Sequence, residues 1–182
     1  YVRLMAKYNS WQNKNIFGAA EHLTDDVRKQ DGGAFFGSVQ RTLSHLYWGD
    51  CVWMHRFYGL EKPDANIAES PDFVREWRIL SDLRTALDQK IEEWAAHVDP
   101  AWIGSEISWY SGATQRQLTK PAASLTVHFF NHQTHHRDEH GESAHQFHLD
   151  RQSHIAPPGK ARPGRCTDKI VGEAGDGLSL AH

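Results

Sequence analysis

The chain has 182 residues, 39% hydrophobic and 11% aromatic with 7 Trp, and a net charge of −3 with His neutral; this suffices for one well-formed core in one domain, and no basic block marks a nucleic-acid partner. No apolar run reaches the roughly 18 residues of a membrane span and no signal-peptide pattern opens the chain, so no membrane partner is expected. Cys51 and Cys166 lie far apart, without framework or metal spacing, which suits free thiols and predicts a cytoplasmic protein.

Helical patterning begins at once, with Tyr1 already inside it, so further residues are expected to precede it. Tyr1, Leu4/Met5, Tyr8, Trp11, Ile16, Ala19 and Leu23 recur every three or four positions, which predicts an amphipathic helix with those residues inward. Thr24 to Gly33 is polar, offers Thr24 or Asp25 as a cap and ends in Gly-Gly, so it reads as a connection. A second helix is predicted from about Ala34 to Tyr58, burying Phe35, Phe36, Val39, Leu43, Leu46, Trp53, Met54 and Phe57, with Gly59 as its stop. Glu61 to Pro71 reads as a crossing loop, with Ser70 and Pro71 opening the third helix. That helix carries Phe73, Trp77, Leu80, Leu87, Ile91, Trp94 and Val98 inward, is interrupted only at Arg84, and ends before Asp99-Pro100. Short runs around Ser111-Gly112-Ala113 predict a small hairpin, and Pro121 starts a fourth helix.

The expected fold is therefore all-α, a four-helix bundle with a small hairpin before the last helix. After Arg137 the run from Asp138 to His145 lacks apolar residues, and only Phe147 returns to the stripe. Pro157-Pro158-Gly159 and Pro163-Gly164 then predict an irregular tail over 151–182, behind a domain over 1–150.

The chemistry concentrates in the fourth helix, where four of the 13 histidines fall between His128 and His136. At roughly 100° per residue, Leu125, Phe129, His132 and His136 project within about 60° of one another. His132 and His136 thus continue an apolar stripe, and two imidazoles four apart can reach one ion. Histidines on a helix also serve merely to fill a core edge, and spacing alone leaves both readings open. Position 133 is Gln, so the Glu of a zincin HExxH protease is absent.

Asn131-His132-Gln133-Thr134-His135-His136-Arg137, the stretch from Phe35 to Leu46 and Tyr8-Asn9-Ser10-Trp11 together resemble the DinB family, damage-inducible four-helix bundles related to bacterial thiol-dependent transferases. The resemblance covers about residues 1–137. It implies that His45, His132 and His136 bind one divalent metal ion, zinc or nickel first among the candidates, and that the chain is a metal-dependent transferase using a low-molecular-weight thiol on a small-molecule substrate, with a homodimer as the usual assembly. Where the family continues with Gly-Gln, this chain has Asp138-Glu139.

The resemblance selects His45. On the helical wheel that residue lies roughly 120° from the centre of its helix's apolar stripe, a partly exposed position. His128 is the competing ligand, one turn before His132; His22, His55 and His97 are expected in solvent, and His135 on the flank. Three imidazoles leave a coordination position open, as catalytic sites do. Asp50, Tyr47 and Tyr110 are candidates for proton handling or substrate positioning. The alternatives are a metal-dependent hydrolase, which would turn over without added thiol, and a non-catalytic metal-binding stress-response module.

Overall fold

The computed structural model describes residues 1–152 apart from Ala34 and Ala113, with side chains described as far as Arg137. Among these residues the chain is mostly helical, with a two-stranded hairpin. Four long helices, α1 (Val2–Glu21), α3 (Val39–Tyr58), α4 (Trp77–His97) and α6 (Ala122–Gln152), are accompanied by two short ones, α2 (Asp25–Lys29) and α5 (Pro100–Ile103). Strands β1 (Glu106–Ser111) and β2 (Arg116–Pro121) pair antiparallel, with Trp109 opposite Leu118. The long helices pack in a closed cycle, α1 and α3 each touching both α4 and α6. No described helix is long and apolar enough to cross a membrane.

Local chemistry sets the boundaries. Thr24 caps α2, its hydroxyl accepting from the Val27 N–H, and Ser38 caps α3 by accepting from the Arg41 N–H. Gly59 ends α3 in the left-handed region, φ 71°, which glycine adopts without strain. Asp99 caps α5, with Pro100 in its first turn.

The core has two apolar halves separated by a polar layer. One half joins Phe17 and Ala20 of α1, Val39, Leu43 and Leu46 of α3, and Trp77 and Leu80 of α4. The other joins Ala6, Trp53, Met54, Phe57, Leu87, Ile91, Trp94, Leu125, Phe129 and Phe130. Asn9 and Asn13 of α1, Asp50 of α3 and Arg84 of α4 lie between them along their helices, joined by Asp88 of α4 and by Gln133 and Arg137 of α6, all buried. Asp50 accepts from Arg84 (2.6 Å) and from the Gln133 amide (2.7 Å). Arg84 also pairs with Asp88 (2.8 Å), and Asn13 donates to the same carboxylate (2.8 Å). Arg137 reaches Gln12 (2.5 Å), Asn9 and Gln133. Two carboxylates and two guanidiniums balance in charge, and most of their polar atoms are hydrogen-bonded within the layer, Arg84 Nε, Arg137 Nε and Asn9 Nδ2 being the exceptions.

This layer explains the main departure from the expected pattern. The helix over the N-terminal stretch is present, but Tyr1, Leu4, Tyr8 and Trp11 are exposed, while Ala6, Asn9, Ser10, Asn13, Phe17 and Ala20 face inward. The periodicity is as expected and the phase is turned, because the asparagines have charged partners on α4 and α6. In the stretch before α3, Phe35 is exposed, and the helix begins only at Val39. Ser70 does not cap the third long helix; it opens a 3-10 turn (Ser70–Asp72), and α4 starts at Trp77. Helical backbone continues beyond the change at Arg137 as far as Gln152. The expected irregular tail from Ser153 lies outside the described residues.

Four of the Trp close the second half of the core. Trp94 and Trp102 pack on Phe57, with centroids 5.4 and 5.3 Å away, while Trp53 meets Phe57 at 5.4 Å and Trp109 of β1 at 6.0 Å. Trp48 serves otherwise, its indole N–H donating to the Ala65 carbonyl (2.8 Å) and tying the α3–α4 loop to α3.

Candidate metal centre

His132 and His136 lie one turn apart on α6, beside the layer residues Gln133 and Arg137, and His45 faces them from α3. All three are buried, at 2%, 8% and 7% exposure for His45, His132 and His136. One ring nitrogen from each lies within 4.8 Å of the other two. Two nitrogens on a tetrahedral zinc at 2.0–2.1 Å are roughly 3.3 Å apart, so small ring rotations would close the set on an ion. Three neutral nitrogen donors fit a borderline divalent metal such as zinc or nickel.

The burial of His45 overturns the exposure expected from periodicity. The reason is the 3-10 turn, which packs on α3 at His45, while α6 and Phe36 cover its other sides. Ser44 fixes this turn, donating to the Ser70 carbonyl (3.1 Å) and accepting from the Val74 N–H (3.0 Å). The Ser70 hydroxyl donates to the Ile67 carbonyl (2.6 Å) and stands 2.7 Å from His45 Nδ1. With its one proton committed, that oxygen accepts from Nδ1–H, which leaves the lone pair on Nε2, the tautomer a ligand requires. Gly49 makes room for His132: a Cβ there would stand 3.3 Å from His132 Cε1. Phe36 stacks on His45 at 4.1 Å and meets His136 at 5.3 Å, shielding the set.

The triad forms part of the wall of a cavity of about 700 Å³, which is otherwise mainly apolar, with Phe35, Phe36, Ile67 and Pro71. His128 and His135 also line it, although neither joins the three-nitrogen set. His22, His55 and His97 are exposed, as expected.

The candidates for proton handling do not gather at the triad. Asp50 is held in the polar layer by Arg84 and Gln133, and burial pushes its pKa up to about 6 against the pull of Arg84. Tyr47 is half-buried against Phe73, and burial raises its pKa well above the usual range. Tyr110 borders a second cavity instead. Cys51 is no nucleophile candidate, since burial pushes its thiol up to about 11. The sequence reading missed Ser70 as an orienting group, Phe36 as a cover and the whole polar layer. Arg84 breaking an apolar stripe, and Gln133 and Arg137 repeating the spacing of the histidine pair, were the available signals for the layer.

Comparison with protein families matches the family described as DinB over residues 2–146. Among curated proteins, none matches.

Proposed function

The chain belongs to the DinB family, and on that premise we propose that it is a four-helix-bundle, divalent-metal-dependent transferase that joins a low-molecular-weight thiol to an electrophilic small molecule. The observation that carries this reading is the convergence of His45, His132 and His136, all buried, on the wall of a cavity of about 700 Å³. Three protein donors leave a position for an exogenous ligand, whereas a purely structural site is closed by four. When bound, the metal would supply a Lewis acid that holds the thiol as thiolate at neutral pH.

The chain's own residues do the rest. Ser70 holds His45 in the ligating tautomer, Gly49 admits the His132 ring, and Phe36 keeps water from one side of the set. His128 and His135, on the same wall, are the imidazoles in position to receive the thiol proton. The apolar lining suits an electrophile with a hydrophobic body.

Metal content of the purified protein and turnover with and without thiol test this reading together. His132→Ala or His136→Ala should lose most of the metal, His45→Ala should weaken binding substantially, and His135→Ala should stay near the parent. Turnover of an ester or amide without thiol would favour the hydrolase. Full metal content in all four variants would remove the site.

A further inference from the structure

A second cavity, of about 460 Å³, adjoins the first, His132 and Ile67 lining both. Gly49, Val52, Trp53 and Arg56 of α3 border it, spaced as one helical stripe. The stripe begins where the His132 ring rests against Gly49 and ends two turns later at Arg56, about 10 Å away along the axis at 1.5 Å per residue. The Arg56 guanidinium sits in the corner of two indoles inclined at 69°, 4.5 Å from the Trp53 ring and 4.9 Å from the Trp109 ring. The two rings hold the cation by their π faces but accept none of its in-plane N–H hydrogen bonds at full strength, so those donors seek acceptors at the guanidinium edge. Among the described residues no carboxylate pairs with Arg56; burial alone acts on it, lowering its pKa to about 10, so it stays charged at neutral pH. Lys62 adds a second cation to the cavity and Asp64 one carboxylate, leaving an excess of one positive charge from these three side chains.

We propose that this cavity is a carboxylate-binding subsite, in which Arg56 takes the carboxylate of an elongated small molecule whose other end reaches the metal centre beside His132. The proposal rests on the transferase reading for the identity of that far end, a thiol. A planar carboxylate matches the guanidinium edge by two parallel hydrogen bonds, and the indoles that hold the guanidinium fix the direction of that edge. The thiol co-substrate is thereby an acid whose sulfur and carboxylate lie on the order of 8–10 Å apart, the scale of the two helical turns from Gly49 to Arg56.

The test uses the cobalt-loaded protein and two probes of equal length, 6-mercaptohexanoate and 6-mercaptohexanol, read by the thiolate-to-cobalt absorption band. The acid should bind at least about tenfold more tightly than the alcohol, the scale of one charge-assisted pair. Arg56→Met should reduce that preference to within about twofold, through weaker binding of the acid. Arg56→Lys, which retains charge but not the fork, should fall between the two. Equal binding of the probes by the parent, or a preference that survives in Arg56→Met, would overturn the subsite. Hexanoate added to the metal-free protein separates this from the thiol reading. If it shifts the indole N–H resonances of Trp53 and Trp109 in the parent but not in Arg56→Met, while neither thiol perturbs cobalt, the subsite stands and the thiol reading falls.

Discussion

Ser70 illustrates how a residue with no chemistry of its own selects that of another. Its hydroxyl has one proton, which goes to the Ile67 carbonyl, so it accepts from His45 Nδ1 and keeps Nε2 unprotonated. Ser70→Ala should therefore lower metal affinity by about 10–100-fold, the usual cost of removing a partner of a ligating imidazole, with the helical circular dichroism unchanged. Competition with a chelator of known affinity measures this; an unchanged affinity would show that packing alone orients the ring. Gly49 acts by what it lacks, since even a methyl group would crowd His132.

Among the elements, α4 carries the clearest amphipathic pattern and the least ambiguous packing. Trp77 is buried, stacks on Phe17 at 5.3 Å and has the Arg28 guanidinium 4.7 Å from its ring. Trp77→Ala should destabilise the fold by about 3–5 kcal/mol while leaving the metal ligands in place, seen as a lower denaturation midpoint with metal content retained. The polar layer is the second expectation at this scale. Asp50→Asn removes the charge from a carboxylate that accepts from both Arg84 and Gln133, and its effect on stability should depend on pH. Its pH dependence has the opposite sign to that of most carboxylates. Burial raises the folded-state pKa of Asp50 from 3.8 to about 6, so between these values the folded protein holds a proton that the unfolded chain has lost. Acidification through that window therefore favours the folded state, and the advantage of the parent over Asp50→Asn should widen as pH falls from 6 to 4. Denaturant titrations of both metal-free proteins measure the gap, and a narrowing gap would mean that the ion pair with Arg84 outweighs burial.

At the scale of the whole molecule, the candidate metal centre joins α3 to α6, two helices far apart in the chain. An ion bound there stabilises only the folded arrangement, by about 2.7 kcal/mol at a free concentration one hundred times the dissociation constant. The thermal midpoint should rise with added zinc in the parent and stay level in His132→Ala. A rise of equal size in that variant would place the binding elsewhere. The polar layer joins residues of all four long helices, Asn9 and Asn13, Asp50, Arg84 and Asp88, and Gln133 and Arg137, by direct hydrogen bonds and ion pairs.

The amino-acid sequence by itself determined that four segments form long helices, where Gly59 and Asp99-Pro100 end two of them, that a hairpin precedes the last helix, and that His132 and His136 share a face with Leu125 and Phe129. Such features depend on neighbours within a turn or two, which periodicity and capping chemistry report. His45 was reachable only through the family resemblance, because the 3-10 turn that buries it comes from 25 residues further along. The inward phase of α1 was equally hidden, since whether Asn9 and Asn13 belong inside depends on Arg137 and Asp88, supplied by other helices. Tertiary structure alone decided these points, for a polar residue becomes a core residue only when folding brings its partner to it.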